Sequence, residues 1–112
     1  MSEKVIEIPP VDFENLYKNY NIQTQVGKKA LEEVLRFVSV MDRKNRDYGN
    51  GNIGAFGELG VLVRCWDKIS RLRNLIWNNK SPNNEAIEDT WQDLSIYALI
   101  AYMLRKGKWV ND

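Results

Sequence analysis

Residues 86–104, AIEDTWQDLSIYALIAYML, read as one helix with two apolar sides. Ile96, Ile100 and Met103 follow the three-to-four spacing of one face, and Trp91, Leu94, Ala98 and Tyr102 occupy the face roughly opposite. A helix in a small three-helix domain seldom buries both faces within its own chain. The pattern therefore predicts a partner chain over one of them, most simply in a homodimer or higher homo-oligomer. Glu88, Asp89 and Asp93 place carboxylates in the first two turns of this apolar element. Unpaired burial costs several kcal/mol per charge, so such groups are exposed, paired or bound to a cation.

Two further helices are predicted ahead of it. After NIQTQVG, the residues Ala30, Val34, Val38 and Met41 keep the spacing of one buried face, in a helix that ends near Asp47. YGNGNIG follows, and a second helix runs from about Ala55 to Asn78. Its apolar stripe is Val61, Leu62, Cys65, Ile69, Leu72 and Ile76; its charged stripe, Arg64, Asp67, Lys68 and Arg71, points elsewhere. NNKSPNNE makes the turn to the last helix, from about Glu85 to Lys106, with Asn83 or Asn84 as cap. At the N-terminus KVIEI suits a short extended arm stopped by Pro9 and Pro10, and Asp12 caps a short helix through about Tyr20. Three substantial helices on short links predict an all-α antiparallel helical bundle. Residues 1–27 are then an arm and short helix ahead of the helical body at 28–112, in a single domain overall.

Composition removes several classes of function. Among 112 residues, 44% are apolar and 28% charged, enough for one soluble domain with a modest core. Sixteen Lys and Arg against fifteen Asp and Glu leave a formal charge of +1, so nothing global points to nucleic acid or an anionic membrane. There is no histidine, which excludes Ser-His-Asp and Cys-His catalysis and His-containing zinc sites. Any chemistry must run on carboxylates, lysine, tyrosine or a metal held by oxygen ligands. The single cysteine, Cys65, sits on an apolar stripe and reads as a buried structural thiol in a reduced, cytoplasmic setting. No stretch has the composition of a signal peptide or a transmembrane helix.

Helical spacing gathers the charges. Glu85, Asp89 and Asp93 step four residues at a time along the side of the last helix that carries Ile96 and Ile100. If the last two helices are antiparallel about a turn centred near residue 80, Asp67 comes level with Asp93 and Arg71 with Asp89. Folding the first long helix back about the turn near residue 51 brings Glu32 or Glu33 to the same layer. Several carboxylates so placed repel unless a cation sits among them, and Mg²⁺ takes oxygen ligands for that purpose. The alternative is a structural network in which Asp89 and Asp93 pair with Arg71 and Lys68.

KNRDYG (44–49), GELGVLVRCWDKISRL (57–72) and EDTWQDLSIYALIAYML (88–104) resemble the nucleotide-modification-associated domain of phage and bacterial proteins. That family is similar in layout to the MazG-like all-α nucleoside triphosphate pyrophosphatases, whose EExxE and ExxD motifs hold Mg²⁺ against a triphosphate and which are commonly dimers or tetramers. The resemblance covers roughly residues 28–106. By motif position Asp93 matches the last acid of ExxD, with Thr90 where its Glu is expected and Asp89 one turn before Asp93; Asp67 matches the last Glu of EExxE only loosely, after Val63 and Arg64. The resemblance implies a nucleotide-binding, oligomeric domain. As an enzyme it would hold Mg²⁺ on Asp67, Asp89, Asp93 and Glu33, so that a metal-activated water attacks a phosphate while Lys68 and Arg71 neutralise developing charge. The missing glutamates, and the gain of Arg64, Lys68 and Arg71, suit direct phosphate binding better than hydrolysis. A non-catalytic binder of a nucleotide or nucleotide signal, such as a phage sequestering or accessory protein, is therefore the second reading; a plain helical interaction module is the third.

Arg43, Lys44, Arg46 and Tyr48 form a basic segment beside the glycine stretch; a solvated helix end accounts for them, or contacts to phosphates with Tyr48 stacked on a base. GNGNIG satisfies G-x-G-x-x-G but follows a helical segment instead of a strand, so it is set aside as a dinucleotide loop. Glu58, near the far end of the last helix in this layout, is expected to cap that helix or to pair with Arg46 or Arg105.

Overall fold

The computed structural model describes residues 12–83 and 85–110 and, of Asn50, the backbone. Every regular element among them is helical: α1 (Phe13–Asn19), α2 (Gln25–Tyr48), α3 (Asn50–Gly54), α4 (Gly57–Leu72), a π-helical turn (Arg73–Trp77) and α5 (Ile87–Arg105). The all-α expectation holds. The proposed arm at KVIEI and the proposed Asn84 cap lie outside the described residues. None of the described helices is long and apolar enough to cross a membrane. The chain divides into two compact units, Met1–Arg43 and Lys44–Asp112, with the boundary inside α2.

In the first unit, Asp12 caps α1 as expected, its Oδ1 accepting from the Asn15 amide at 3.1 Å. Thr24 does the same at the start of α2, accepting from the Gly27 amide at 3.0 Å. Val40 is the buried residue of α2. The face expected to be buried is not: Val34 is 49% and Val38 39% exposed, and Ala30 is exposed too. Apolar residues lie on more than one side of this helix, so their spacing does not rank one face above another.

Three helical segments end in the same way. Asn21, Asn79 and Gly107 adopt left-handed backbone (φ 55°, 56° and 68°). The amide after each reaches back five residues, from Ile22 to Tyr17, Lys80 to Leu75 and Lys108 to Met103 (2.8–3.1 Å). Asparagine and glycine tolerate this conformation best, which is why the helices stop there.

The second unit is built on an antiparallel hairpin of α4 and α5 joined by the turn at residues 78–86. Its register is fixed by three contacts: Glu58 with Arg105, Lys68 with Asp93, and Arg71 with Thr90. In that register Val61 lies level with Ile100 and Cys65 with Ile96. Val61, Leu72, Leu75, Ile96 and Ile100 are buried, each contributing about 1.5–3 kcal/mol by leaving water. Cys65 is half-buried, and burial pushes its thiol pKa up, as suits an inert structural thiol. Gly54 of α3 lies so close to the Trp109 indole that a Cβ there would stand 3.0 Å from Nε1.

Two expectations for the second long helix change. Leu62, Ile69 and Ile76, assigned to its buried stripe, are 59%, 49% and 50% exposed. Lys68 and Arg71, expected to point away from the apolar stripe, turn toward α5, where carboxylates and a hydroxyl receive them. Asn83 does not cap the last helix: the cap position is Ala86, extended at ψ 151° and without a side-chain bond to the helix amides.

Candidate functional site

The polar flank of the hairpin gathers Lys44, Lys68, Arg71, Glu85, Thr90 and Asp93. Lys68 lies on the inner side of α4, one turn before Leu72, and its Nζ sits 3.0 Å from Asp93 Oδ2 and 3.5 Å from Glu85 Oε1. The Lys68 and Asp93 side chains are only 22% and 17% exposed, so this pair is screened less than a surface pair. Lys44 approaches the other oxygen of Asp93 at 3.8 Å. One turn further along α4, the Arg71 guanidinium donates to Thr90 Oγ1 and, at 2.6 Å, to the Glu85 carbonyl. Thr90 is wholly buried, and its hydroxyl donates to Glu85 Oε1 at 2.9 Å. Both the donor and an acceptor site of that hydroxyl are thus used.

The electrostatics follow from these contacts. Desolvation works to lower the Lys68 pKa, but the hydrogen bond and charge of Asp93, helped by Glu85, outweigh it and hold the ammonium above its usual range. The hydrogen bond from Thr90 lowers the Glu85 pKa against some desolvation, with Lys68 and Arg71 adding to the effect. A depressed carboxylate contributes stability that is present above its unfolded value, ordinarily 4.5, and lost as pH falls through the folded value. A raised lysine contributes stability that is present below its ordinary 10.5 and lost as pH rises through the folded value. Stability should therefore be flat between these limits and fall on both sides. In urea unfolding, Glu85→Gln should be less stable than wild type at neutral pH, with the difference closing below pH 4.5; a difference independent of pH would sink this assignment.

Of the three residues of the second unit expected to hold Mg²⁺, one is found here. Asp93 is in the cluster, but Asp67 is exposed on α4 and Asp89 on the first turn of α5; Glu33 is exposed in the first unit. Among the described residues no group of three or more Asp, Glu or Cys side chains is placed to hold a metal ion. The Lys68 ammonium lies between Asp93 and Glu85, where a cation bridging them would sit. The residues do not fit a metal centre, and no metal-dependent step is derived from them. Arg46, Tyr48 and Arg64, expected to contact ligand phosphates or base, are exposed, Tyr48 at 70%.

Beside the cluster lies a polar pocket of about 380 Å³, lined by Arg71, Asn74, Leu75, Lys80, Ser81 and Asn83. Thr90 and the Glu85 carbonyl hold one edge of the Arg71 guanidinium while the side chain also lines this pocket. Lys80, Asn74, Ser81 and Asn83 add a cation, two amides and a hydroxyl. Thr90 and the turn residues were not among the candidates read from the sequence. An inward hydroxyl between apolar neighbours was the available signal for Thr90; the turn carries no spacing rule. At the opposite end of the hairpin Glu58 and Arg105 form a bidentate pair at 2.8 Å, one of the two partners expected for Glu58. Comparison of the chain with protein-family models, curated proteins and solved structures finds no match.

Proposed function

We propose that this chain binds the phosphate groups of a nucleotide in the polar pocket between the end of α4 and the turn to α5, and holds the nucleotide without hydrolysing it. The pocket itself carries the reading: an anchored guanidinium and a lysine converge with hydroxyl and amide donors on about 380 Å³, the donor chemistry that recognises phosphate oxygens. Non-catalytic binding is favoured over Mg²⁺-dependent pyrophosphate release because Lys68 and Arg71 already neutralise Asp93 and Glu85. A deoxynucleoside triphosphate or a nucleotide-derived signal fits the resemblance in residues 28–106.

The test is calorimetric titration with a panel of ribo- and deoxynucleoside triphosphates, with and without Mg²⁺, while the mixtures are resolved for mono- and pyrophosphate. Binding is expected without a divalent ion, with the nucleotide recovered intact. Lys80→Glu should weaken it by about tenfold or more, since a like charge then faces the phosphates. The absence of binding by any nucleotide would overturn the reading. Mg²⁺-dependent pyrophosphate release that is lost in Asp93→Asn would replace it with the hydrolase.

A further inference from the structure

We propose that the apolar flank of the α4–α5 hairpin is the contact surface for a second copy of this chain, with α4 packed antiparallel on α4 of that copy. Along α4 and the π-helical turn, Leu59, Leu62, Trp66, Ile69, Arg73 and Ile76 recur at alternating intervals of three and four residues, the spacing of a seam that meets another helix. Its five apolar members are 49–71% exposed. The series is symmetric about the point between Asp67 and Lys68. Reversing the helix brings Trp66 opposite the partner's Ile69, Leu62 opposite the partner's Arg73 and Leu59 opposite the partner's Ile76. A surface that complements itself across a two-fold axis is what an isologous dimer requires.

The neighbouring shape agrees. At one end of the seam, Ile69, Arg73, Ile76 and Trp77 face Trp91 and Leu94 of α5 across a groove of about 290 Å³. The same two-fold operation delivers the partner's Leu59 and Leu62 to that groove. The outer face of α5 thereby contributes an edge of the contact through Trp91, while Tyr102, further along that face, is 62% exposed.

The area suffices for a dimer. Trp66, Trp77 and Trp91 are 69%, 83% and 50% exposed, together about two whole tryptophans or roughly 400 Å². Leu59, Leu62, Ile69 and Ile76 add roughly 200 Å² at about 25 cal/mol per Å² and ordinary side-chain transfer energies. A specific interface takes about 800 Å² from each partner, a little over half of it apolar, so roughly 600 Å² of apolar side chain exceeds the need. An exposed apolar patch of that size is at the upper limit for a monomer. The surface does not include the polar pocket, so its test is run without nucleotide and is independent of it.

Sedimentation equilibrium of the full chain across the micromolar range should give a dimer. Trp66→Glu should raise its dissociation constant by about 30-fold or more, as expected on losing a central aromatic anchor, with helicity unchanged by circular dichroism because Trp66 is exposed. Leu62→Glu and Leu62→Lys remove the same apolar contact but face the partner's Arg73 with opposite charge; the glutamate variant should dimerise about tenfold more tightly. A monomer at every concentration, or a dimer indifferent to Trp66→Glu, overturns the proposal. Equal dissociation constants for the two Leu62 variants, or the reverse order, overturn the antiparallel register.

Discussion

Ile100→Ala should lower the unfolding free energy by about 3 kcal/mol, within the 2–5 kcal/mol typical of removing a buried isoleucine side chain down to its Cβ. Ile100 is 4% exposed and lies level with Val61, which has no exposed surface, so the cavity is closed to solvent. For a unit of this size the loss corresponds to a fall in Tm of very roughly 15 °C. Ile100→Val, which removes one methyl, should cost about 1 kcal/mol. Tyr102→Ala, two residues away on the opposite, exposed face, should stay within about 0.5 kcal/mol when measured at concentrations where the chain is monomeric. Thermal and urea melts of the three variants check the order. Equal losses at positions 100 and 102 would mean that the inward face of α5 is misassigned.

The same face shows what could be read from residue spacing alone. A turn centred near residue 80 puts Asp67 level with Asp93 and Arg71 with Asp89; the observed pairs are Lys68 with Asp93 and Arg71 with Thr90, a shift of one residue. Register was legible because the helix breakers at Asn78 and Asn79 fix where the hairpin turns, and the helical rise does the rest. Which side chain points inward was not. Around α4, the positions 59, 62, 66, 69 and 76 are as apolar as 61, 65, 72 and 75, and spacing marks both sets without ranking them. The decision falls to long-range partners. Lys68 can lay its four-carbon stem along the interface and end on Asp93, so a residue read as part of a solvated stripe becomes part of the packing. On α5 the reading of two apolar faces holds: Ile96 and Ile100 are buried, while Trp91 and Tyr102 are half or more exposed. The four-residue steps from Glu85 to Asp93 suggest one line of carboxylates, which the structure does not keep. Glu85 lies ahead of the first turn of α5, and Asp89 is left in solvent because Arg71 reaches Thr90 and the Glu85 carbonyl instead.

Thr90→Val should be the most damaging near-isosteric change in the polar cluster. The substitution keeps the shape of a side chain that is wholly buried but removes an oxygen that accepts from Arg71 and donates to Glu85. Two charged groups each lose a partner at once, and a part-buried donor left unmatched costs about 1–3 kcal/mol. Wild type and Thr90→Val should therefore differ by about 2 kcal/mol in urea unfolding, while Thr90→Ser, which keeps the oxygen, should lose only about 1 kcal/mol for its buried methyl. The loss should be largely absent in an Arg71→Met background, since the two residues act through one contact; a coupling near zero in that double-mutant cycle would show that the hydroxyl does not hold Arg71. Affinity gives the second readout. The guanidinium that lines the pocket proposed for phosphate is kept in place by Thr90, so on that proposal Thr90→Val should weaken nucleotide binding although Thr90 does not line the pocket. Lys80→Glu should weaken binding with little change in stability, because Lys80 is exposed in the turn. If Thr90→Val destabilises the chain but leaves affinity intact, the cluster is a structural network alone, and the phosphate site must be sought elsewhere on the molecule.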